Sequence, residues 1–413
     1  MADIDVKKAK KMIGEEVDKL RSGMNEMAHQ MYLDPEVGWE TPRSAALVGS
    51  FLKKYGFEVE EKIADLSSAF KAYLPERYGH HPAVAILAEY DALPEIGHAC
   101  GHNLQGPVAA GAAIALSKVM SAMNIPGSVY VMGCPCEEGG GGKVIMLDKG
   151  AFEQADYSIH WHIANNPANR TVVGCPNNAA VRSYVRFHGK SAHSISKAHK
   201  AVSALDAALL TLTAVNTMQR YLIPERFERV HGVILRGGEA ANVIPDFCEI
   251  EFTIRAKHRV YLEELIKKVH NCAHGAALAT GAKVEIKMGL MYYERIVLQS
   301  FRRAALDNLP LLGLPVEERD PRITGSADSN NVSHHIPHLT CKAPITDDAS
   351  IGGHTVEMAK ATDSDMAREA MNKYAKWMAM IALDIFTKPD LRKEIQEEFK
   401  ERKQAADMPV EGE

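Results

Sequence analysis

Residues 82–103, PAVAILAEYDALPEIGHACGHN, decide the fold and point to its chemistry. They open with an apolar run, residues 83–88, that ends abruptly at Glu89 and Asp91. This pattern is typical of a strand buried in a parallel sheet. Because open α/β sheets place their active sites at the carboxyl ends of such strands, the next residues are candidates for a site. A helix is predicted to follow, with Pro107 near its first turn.

The loop after this strand carries His98, Cys100 and His102 at alternate positions. A thiolate and an imidazole two residues apart on a loop can bind one cation, and this pair suits zinc and related metals. A lone Cys-x-His is more often a buried small residue beside surface histidines, but the preceding Glu-x-Asp favours a metal site. Cys100 could instead be a nucleophile with a histidine base. No Asn or Asp that would orient such a base is identifiable, so ligation is favoured.

Length and composition restrict the class of protein. A chain of 413 residues favours two domains. Its net charge of −5 gives no reason to expect nucleic acid or an anionic membrane as a partner. The first twenty residues form an amphipathic pattern without a signal-peptide core, and no apolar run approaches a membrane span. Seven cysteines, an odd number, do not suggest a disulfide framework. We therefore expect a cytoplasmic protein with reduced thiols.

The order of predicted elements changes twice along the chain. Strands and helices first alternate, which predicts a larger α/β domain with a mainly parallel sheet flanked by helices. The next segment has the order strand, helix, two strands, helix, strand, which is typical of a ferredoxin-like α+β domain. The α/β pattern then resumes. The predicted organisation is a larger domain formed by residues 1–177 and 293–413, with residues 178–292 inserted.

A second candidate for chemistry is the pair Glu137 and Glu138, which follows the apolar strand 128–136 and precedes four glycines. On extended backbone, adjacent side chains point in opposite directions. One carboxylate could then bind a metal while the other acts as a general base. The alternative is an exposed pair at the edge of a loop.

Other potential ligands are predicted to be structural. Cys134 and Cys136 are expected to pack as small apolar residues beneath the strand end. Histidines outside these motifs, including His334, His335 and His338, are expected on the surface or in loops.

Six motifs together resemble metallopeptidase family 20, the group of aminoacylases, hippurate hydrolases and glutamate carboxypeptidases. In chain order they are ALPEIGHACGHN, PCEEGGGGK, GKSAHS, GGEAANVIPD, GSADSNNVS and GGHTVEM. The resemblance covers nearly the whole chain, including the inserted domain. The GHN, CEEGGGGK and SADSNNVS segments are most similar to the branch that contains aminobenzoyl-glutamate hydrolase and β-alanyl-lysine-type dipeptidases.

The resemblance implies a centre with two divalent ions in each chain, manganese or zinc, with nickel or cobalt also compatible. Glu137 would be the general base that deprotonates a metal-bound water. His160 and His162 could both fill the strand-end ligand position, and His162 is preferred because it follows Trp161. Asp91 would orient a ligating imidazole. The implied ligands are Cys100, which would bridge the ions, His102, Glu138, His162 and His354.

The same resemblance assigns substrate contacts to the inserted domain, which would act as a lid and form a homodimer. His193 would reach across the dimer to stabilise the oxyanion, while Asn242 and Arg255 would hold a free carboxylate on a small-molecule substrate. A solvated strand residue is the alternative for Arg255. The implied activity is hydrolysis of the amide bond of an N-acyl amino acid, a dipeptide or an aminobenzoyl-glutamate-like compound. Alternatives are hydrolysis of another C–N bond, such as aryl amine deamination, or a non-catalytic component of a hydrolase.

Overall fold

The computed structural model describes residues 4–164, 171–314 and 325–408. The chain divides into two compact units. The larger comprises Met1–Pro176, Ile296–Ile323 and Ala327–Ala405. The smaller comprises Asn177–Arg295, Thr324–Ser326 and Ala406–Glu413. A larger α/β unit is thus interrupted by an inserted α+β unit, which is the fold class that the sequence predicts.

The larger unit is built on a seven-stranded sheet of order β1-β2-β4-β3-β5-β13-β6. Strands β4, β3, β5 and β13 are paired in parallel, whereas β1, β2 and β6 join them antiparallel. The predicted parallel sheet therefore forms the centre of a mixed sheet. Its strands are β1 (Glu58–Glu61), β2 (Phe70–Tyr73), β3 (Ala83–Glu89), β4 (Ser128–Cys134), β5 (Tyr157–Ile163), β6 (Val172–Val173) and β13 (His338–Ala343).

Helices pack against this sheet, because the apolar faces of a sheet and of its helices are stable only when they are buried against each other. The unit contains α1 (Val6–Leu33), α2 (Pro42–Lys53), α3 (His102–Ala122), α4 (Gly142–Asp148), α7 (Gln299–Leu306), α8 (Ser329–Val332), α9 (Val356–Ala361), α10 (Asp365–Thr387) and α11 (Pro389–Asp407). The Ala- and Gly-rich α3 is buried along most of its length and packs against α1, α10 and β3. Every residue of β3 and β4 is also buried.

The prediction for Pro107 was wrong in detail. The helix begins at His102, so Pro107 is its sixth residue and lies inside it. Gly101, at φ 75°, occupies the left-handed region and lets the chain turn directly into the helix. The histidine therefore becomes the first helical residue, and the helix starts next to the candidate ligands.

The smaller unit has the predicted ferredoxin-like order. Its antiparallel sheet has the strand order β12-β7-β11-β9, covered by two helices. Burial along β11 alternates residue by residue, as expected for a sheet with one covered face. The elements are β7 (Ala179–His188), α5 (Ala204–Met218), β9 (Arg229–Arg236), β11 (Phe247–Ala256), α6 (Arg259–Thr280) and β12 (Lys283–Met288), with a separate pair β8 (Ala192–His193) and β10 (Val243–Ile244).

Two predictions about burial have opposite outcomes. Cys134 and Cys136 are buried, as predicted. The prediction that His334 and His338 lie on the surface or in loops was wrong for His338, which is buried at the start of β13, whereas His334 lies in a turn, although it is buried. The ring nitrogens of His338 lie 2.8 Å from the hydroxyls of Ser158 and Thr340, so a buried imidazole has hydrogen-bond partners there. Within the described part of the chain, no helix is both long and apolar enough to cross a membrane.

Candidate metal centre

The predicted ligand residues of the larger unit lie together in space. Cys100, His102 and His162 form one group, whose ligand atoms all lie within 4.8 Å of one another. Cys100, Glu138 and His354 form a second group by the same measure, and His102, Glu137 and Glu138 form a third. Cys100 belongs to two of these groups, so its sulfur would be a ligand available to either.

The fold positions these residues at the carboxyl ends of neighbouring parallel strands. Cys100 lies in the loop after β3, and His102 begins α3. His162 is the penultimate residue of β5. Glu138 follows β4, and His354 lies in the loop before α9. The backbone N–H of His354 donates to the carbonyl oxygen of Ala99 at 3.4 Å, which links this distant loop to the cysteine loop.

The prediction of extended backbone at Glu137 and Glu138 was wrong. Strand β4 ends at Cys134, and the two glutamates lie in a turn. Cys136 at φ 56° marks where the chain leaves the extended conformation. A Cβ at Gly142 would lie 1.9 Å from the carbonyl oxygen of Pro135, so this turn needs glycine. The turn brings both carboxylates to His102 instead of directing them apart.

Hydrogen bonding fixes the ring of His102. Its Nδ1 lies 2.8 Å from the carbonyl oxygen of Asp91 and 3.3 Å from the Asp91 carboxylate. A carbonyl oxygen only accepts, so Nδ1 carries the proton and Nε2 is the ligand atom. The Asp91 carboxylate also accepts the backbone N–H of Glu138 at 3.0 Å. One aspartate therefore connects the histidine to the glutamate turn.

Two of the ligand atoms are buried without a hydrogen bond within the described residues: His102 Nε2 and Glu138 Oε1. Glu89 Oε2 lies 3.3 Å from His102 Nε2, but the pair does not have hydrogen-bond geometry. Glu138 Oε1 lies 3.5 Å from His354 Nε2. Buried polar atoms are rarely left in this state, and a metal ion satisfies such atoms. Thiolate, imidazole and carboxylate donors together suit zinc or a neighbouring divalent metal. The residues present fit such ions.

Burial changes the protonation of several of these groups. It raises the pKa of the Cys100 thiol, and it lowers the pKa of His162. Burial, together with the negative charge of Glu89, raises the pKa of Glu137 well above its usual range. A cation would favour the thiolate of Cys100 and bind the neutral imidazole of His162.

His98 and His160 lie close to the centre but belong to none of the three ligand groups. His160 Nε2 lies 2.9 Å from Gln105 Oε1 and 3.3 Å from Glu89 Oε1. His98 is buried, and burial lowers its pKa to about 3. Of the two histidines near the end of β5, it is His162 that lies with Cys100 and His102.

Sequence reasoning assigned no role to Lys143 or Asp328, which form a buried ion pair at 2.7 Å. Lys143 also lies 2.6 Å from Glu89 Oε1. The available signal was a lysine directly after four glycines and before the apolar residues 144–147. Asp328, the partner of this lysine, lies in the polar GSADSNNVS motif.

The predicted substrate residues lie in the smaller unit. His193 on β8 pairs with Val243 on β10, and the carbonyl oxygen of the preceding Asn242 accepts the N–H of Ser194 at 3.1 Å. His193 and Asn242 are exposed. Arg255, near the end of β11, is half-buried and has no ion pair within the described ranges. Burial and the neighbouring Arg182 lower its pKa.

A cysteine sulfur shared by two ligand groups, flanking imidazoles and a buried carboxylate at the carboxyl edge of an α/β sheet are the arrangement that metal-dependent hydrolases use. The peptidase dimerisation domain family matches residues 177–279. The chain is 33% identical over 409 residues to Xaa-Arg dipeptidase of Mus musculus, covering 95% of this chain and 92% of that protein. It is 27% identical over 469 residues to a p-aminobenzoyl-glutamate hydrolase chain of Escherichia coli K12, covering 95% of each.

Comparison with solved structures shows the same fold. A crystal structure from Bacillus subtilis, described as a dinuclear metal binding peptidase from the M20 family, has a TM-score of 0.64 at 19% identity. The match covers 89% of this chain and 99% of that one. The chain belongs to the M20 family of metallopeptidases and amidohydrolases, as the motifs predicted, and it is a hydrolase.

Proposed function

We propose that this enzyme hydrolyses the amide bond of a dipeptide or N-acyl amino acid whose leaving half carries a free carboxylate. Aminobenzoyl-glutamate belongs to this substrate class. The observation that carries the proposal is the pair of ligand groups sharing Cys100, with the Glu137 carboxyl beside them. The names of the relatives, Xaa-Arg dipeptidase and p-aminobenzoyl-glutamate hydrolase, support the same class.

The larger unit would supply the chemistry. Its metal ligands would be Cys100, His102, Glu138, His162 and His354, holding two divalent ions, manganese or zinc. Such ions lower the pKa of bound water to about 7 and polarise a carbonyl. Glu137 would take the proton of the attacking water and deliver it to the leaving amine. The Glu137 carboxyl belongs to the third group, with His102 and Glu138, and this position beside the ligands supports the role.

The smaller unit would bind the substrate as a lid, which we assign to residues 178–292 between catalytic segments 1–177 and 293–413. Arg255 and Asn242 would hold the carboxylate, and His193 would stabilise the oxyanion. A half-buried guanidinium without an ion pair in the described part of the chain supports the role of Arg255, because a carboxylate substrate would supply its missing partner.

We further propose a homodimer through the lid. The two edges of its sheet differ in the middle of each strand: β12 has charged residues from Lys283 to Lys287, whereas β9 exposes Val233 and Leu235, with arginines only at its ends. Exposed apolar side chains on an edge strand support pairing with a second copy. All seven cysteines are free, which supports a cytoplasmic location.

The test is hydrolysis by metal-free protein reloaded with Mn²⁺ or Zn²⁺. The panel contains dipeptides, N-acyl amino acids, aminobenzoyl-glutamate and the C-terminal amide of each, with both products measured by mass spectrometry. We expect hydrolysis only after reloading, and much faster for free carboxylates than for amides. Metal-loaded protein that cleaves none of the panel would contradict the proposal. Release of ammonia from an aryl amine would instead identify another C–N hydrolase.

A further inference from the structure

A fully buried lysine joins two carboxylates next to the candidate metal centre. Lys143 Nζ lies 2.6 Å from Glu89 Oε1 and 2.7 Å from Asp328 Oδ1, and none of the three side chains is exposed. The backbone N–H of Lys143 donates to the second oxygen of Asp328 at 2.9 Å. Asp328 therefore holds this lysine at both its backbone and its ammonium group. An isolated ammonium would be costly to bury, and the two carboxylates offset that cost.

Glu89 connects this ion pair to a predicted metal ligand. Its Oε1 lies between Lys143 Nζ and His160 Nε2, at 2.6 and 3.3 Å. Its Oε2 lies 3.3 Å from His102 Nε2. The other side of the His102 ring contacts the carbonyl oxygen of Asp91. The imidazole is thus bounded by Asp91 at one nitrogen and by Glu89 at the other.

We propose that Lys143 is a positioning residue that, together with Asp328, holds the Glu89 carboxylate 3.3 Å from His102 Nε2 and so keeps a negative charge beside the nitrogen that would bind the divalent ion. The inference rests on the proposed function, because it requires His102 to be a ligand. Lys143 is buried behind Glu89 and acts through it. Residues that orient a metal ligand affect metal affinity, whereas a salt bridge that only ties α4 to its neighbours does not.

The experiment measures Zn²⁺ affinity by competition with a chromophoric chelator, together with the visible absorption spectrum of Co²⁺-loaded protein. Lys143→Met is compared with the wild type and with Lys10→Met. Lys10 provides a matched control because its ammonium lies 2.8 Å from the buried Asp384 in the same unit, joining α1 to α10. Circular dichroism checks the fold. If Lys143→Met does not fold, the charge-balanced double variant Lys143→Met/Asp328→Asn replaces it.

We expect Lys143→Met, or the double variant, to bind Zn²⁺ about 10- to 100-fold more weakly and to show an altered Co²⁺ spectrum. Lys10→Met should match the wild type in both. A folded Lys143 variant with wild-type affinity and spectrum would overturn the inference and leave the proposed function standing. Wild-type protein that binds neither cation would overturn the proposed function itself, and this inference with it.

Discussion

The Sγ of Cys100 lies 3.4 Å from Nε2 of His162, although 62 positions separate the two residues in the chain. The same sulfur belongs to the group formed with Glu138 and His354. One side chain thus serves both ligand groups, and its removal should affect both.

We expect Cys100→Ala to bind less than half of the wild-type metal and to lose at least about 100-fold in kcat/KM, because both groups lose a ligand. Metal content is measured by inductively coupled plasma mass spectrometry after dialysis. Cys134→Ala removes a buried thiol outside the ligand groups and should keep wild-type metal content. Equal metal content in the two variants would contradict the bridging role.

Glu137→Gln tests the general base. Glutamine has the same shape but cannot accept the proton, so we expect kcat to fall about 10²- to 10⁴-fold. Metal content should stay close to that of the wild type, because the five predicted ligands are unchanged. Steady-state kinetics on the best substrate give the rate. A variant with full metal content and wild-type kcat would exclude Glu137 as the base.

Arg255→Ala tests the carboxylate contact. We expect KM for a free-carboxylate substrate to rise about 10-fold or more, because a charged hydrogen bond contributes about 1.5–3 kcal/mol. Any residual hydrolysis of the C-terminal amide should be unchanged. Arg182→Ala is the control, since it removes a neighbouring positive charge from an exposed position on β7. Equal effects on acid and amide substrates would argue against direct contact.

Charged substitutions on β9 test whether this edge of the lid forms the dimer interface. Val233→Glu/Leu235→Glu places two carboxylates on β9, where the wild type has apolar side chains that are 55% and 49% exposed. We expect the wild type to sediment as a dimer and this variant as a monomer in analytical ultracentrifugation. Lys283→Glu/Lys287→Glu changes the opposite edge and should remain dimeric. A dimeric Val233→Glu/Leu235→Glu protein would refute pairing through β9.

Glu398 predicts a pH-dependent contribution to stability. Burial opposes its ionisation, but hydrogen bonds from Ser300 and Gln299, at the start of α7, lower the pKa of Glu398 overall. A lowered folded-state pKa means that the stabilisation is present above the unfolded pKa of about 4.3 and is lost as pH falls through the folded value.

We therefore expect Glu398→Gln to lower the free energy of unfolding by about 1 kcal/mol at pH 7, with a smaller difference below about pH 4. Urea unfolding followed by circular dichroism measures both values. Glu397→Gln, at a more exposed neighbouring position, is the control and should be neutral. A loss for Glu398→Gln that does not change with pH would contradict the assignment.

Local sequence patterns predicted the elements whose structure is determined by residues that are close together in the chain. The apolar run before Glu89 predicted the buried central strand β3, and element order predicted the inserted unit. The motifs also selected the residues that lie together around Cys100. The prediction of extended backbone at Glu137 was wrong because Cys136 adopts a left-handed conformation. Residues other than glycine rarely adopt this conformation, so the sequence did not indicate it. No periodic sequence pattern predicts the pairing of Lys143 with Asp328, because the two residues are brought together only by the tertiary fold.

The Lys143–Asp328 pair has a consequence for the order of synthesis. The two residues are 185 positions apart, and Asn177–Arg295, the main segment of the inserted unit, is translated between them. While the ribosome is still making that insert, the nascent larger unit has α4 and β3, with Glu89, but lacks the aspartate that binds both the ammonium group and the backbone N–H of Lys143. The insert, whose sheet strands all come from residues 179–288, can fold first. The larger unit, although it begins the chain, is therefore expected to complete its folding last.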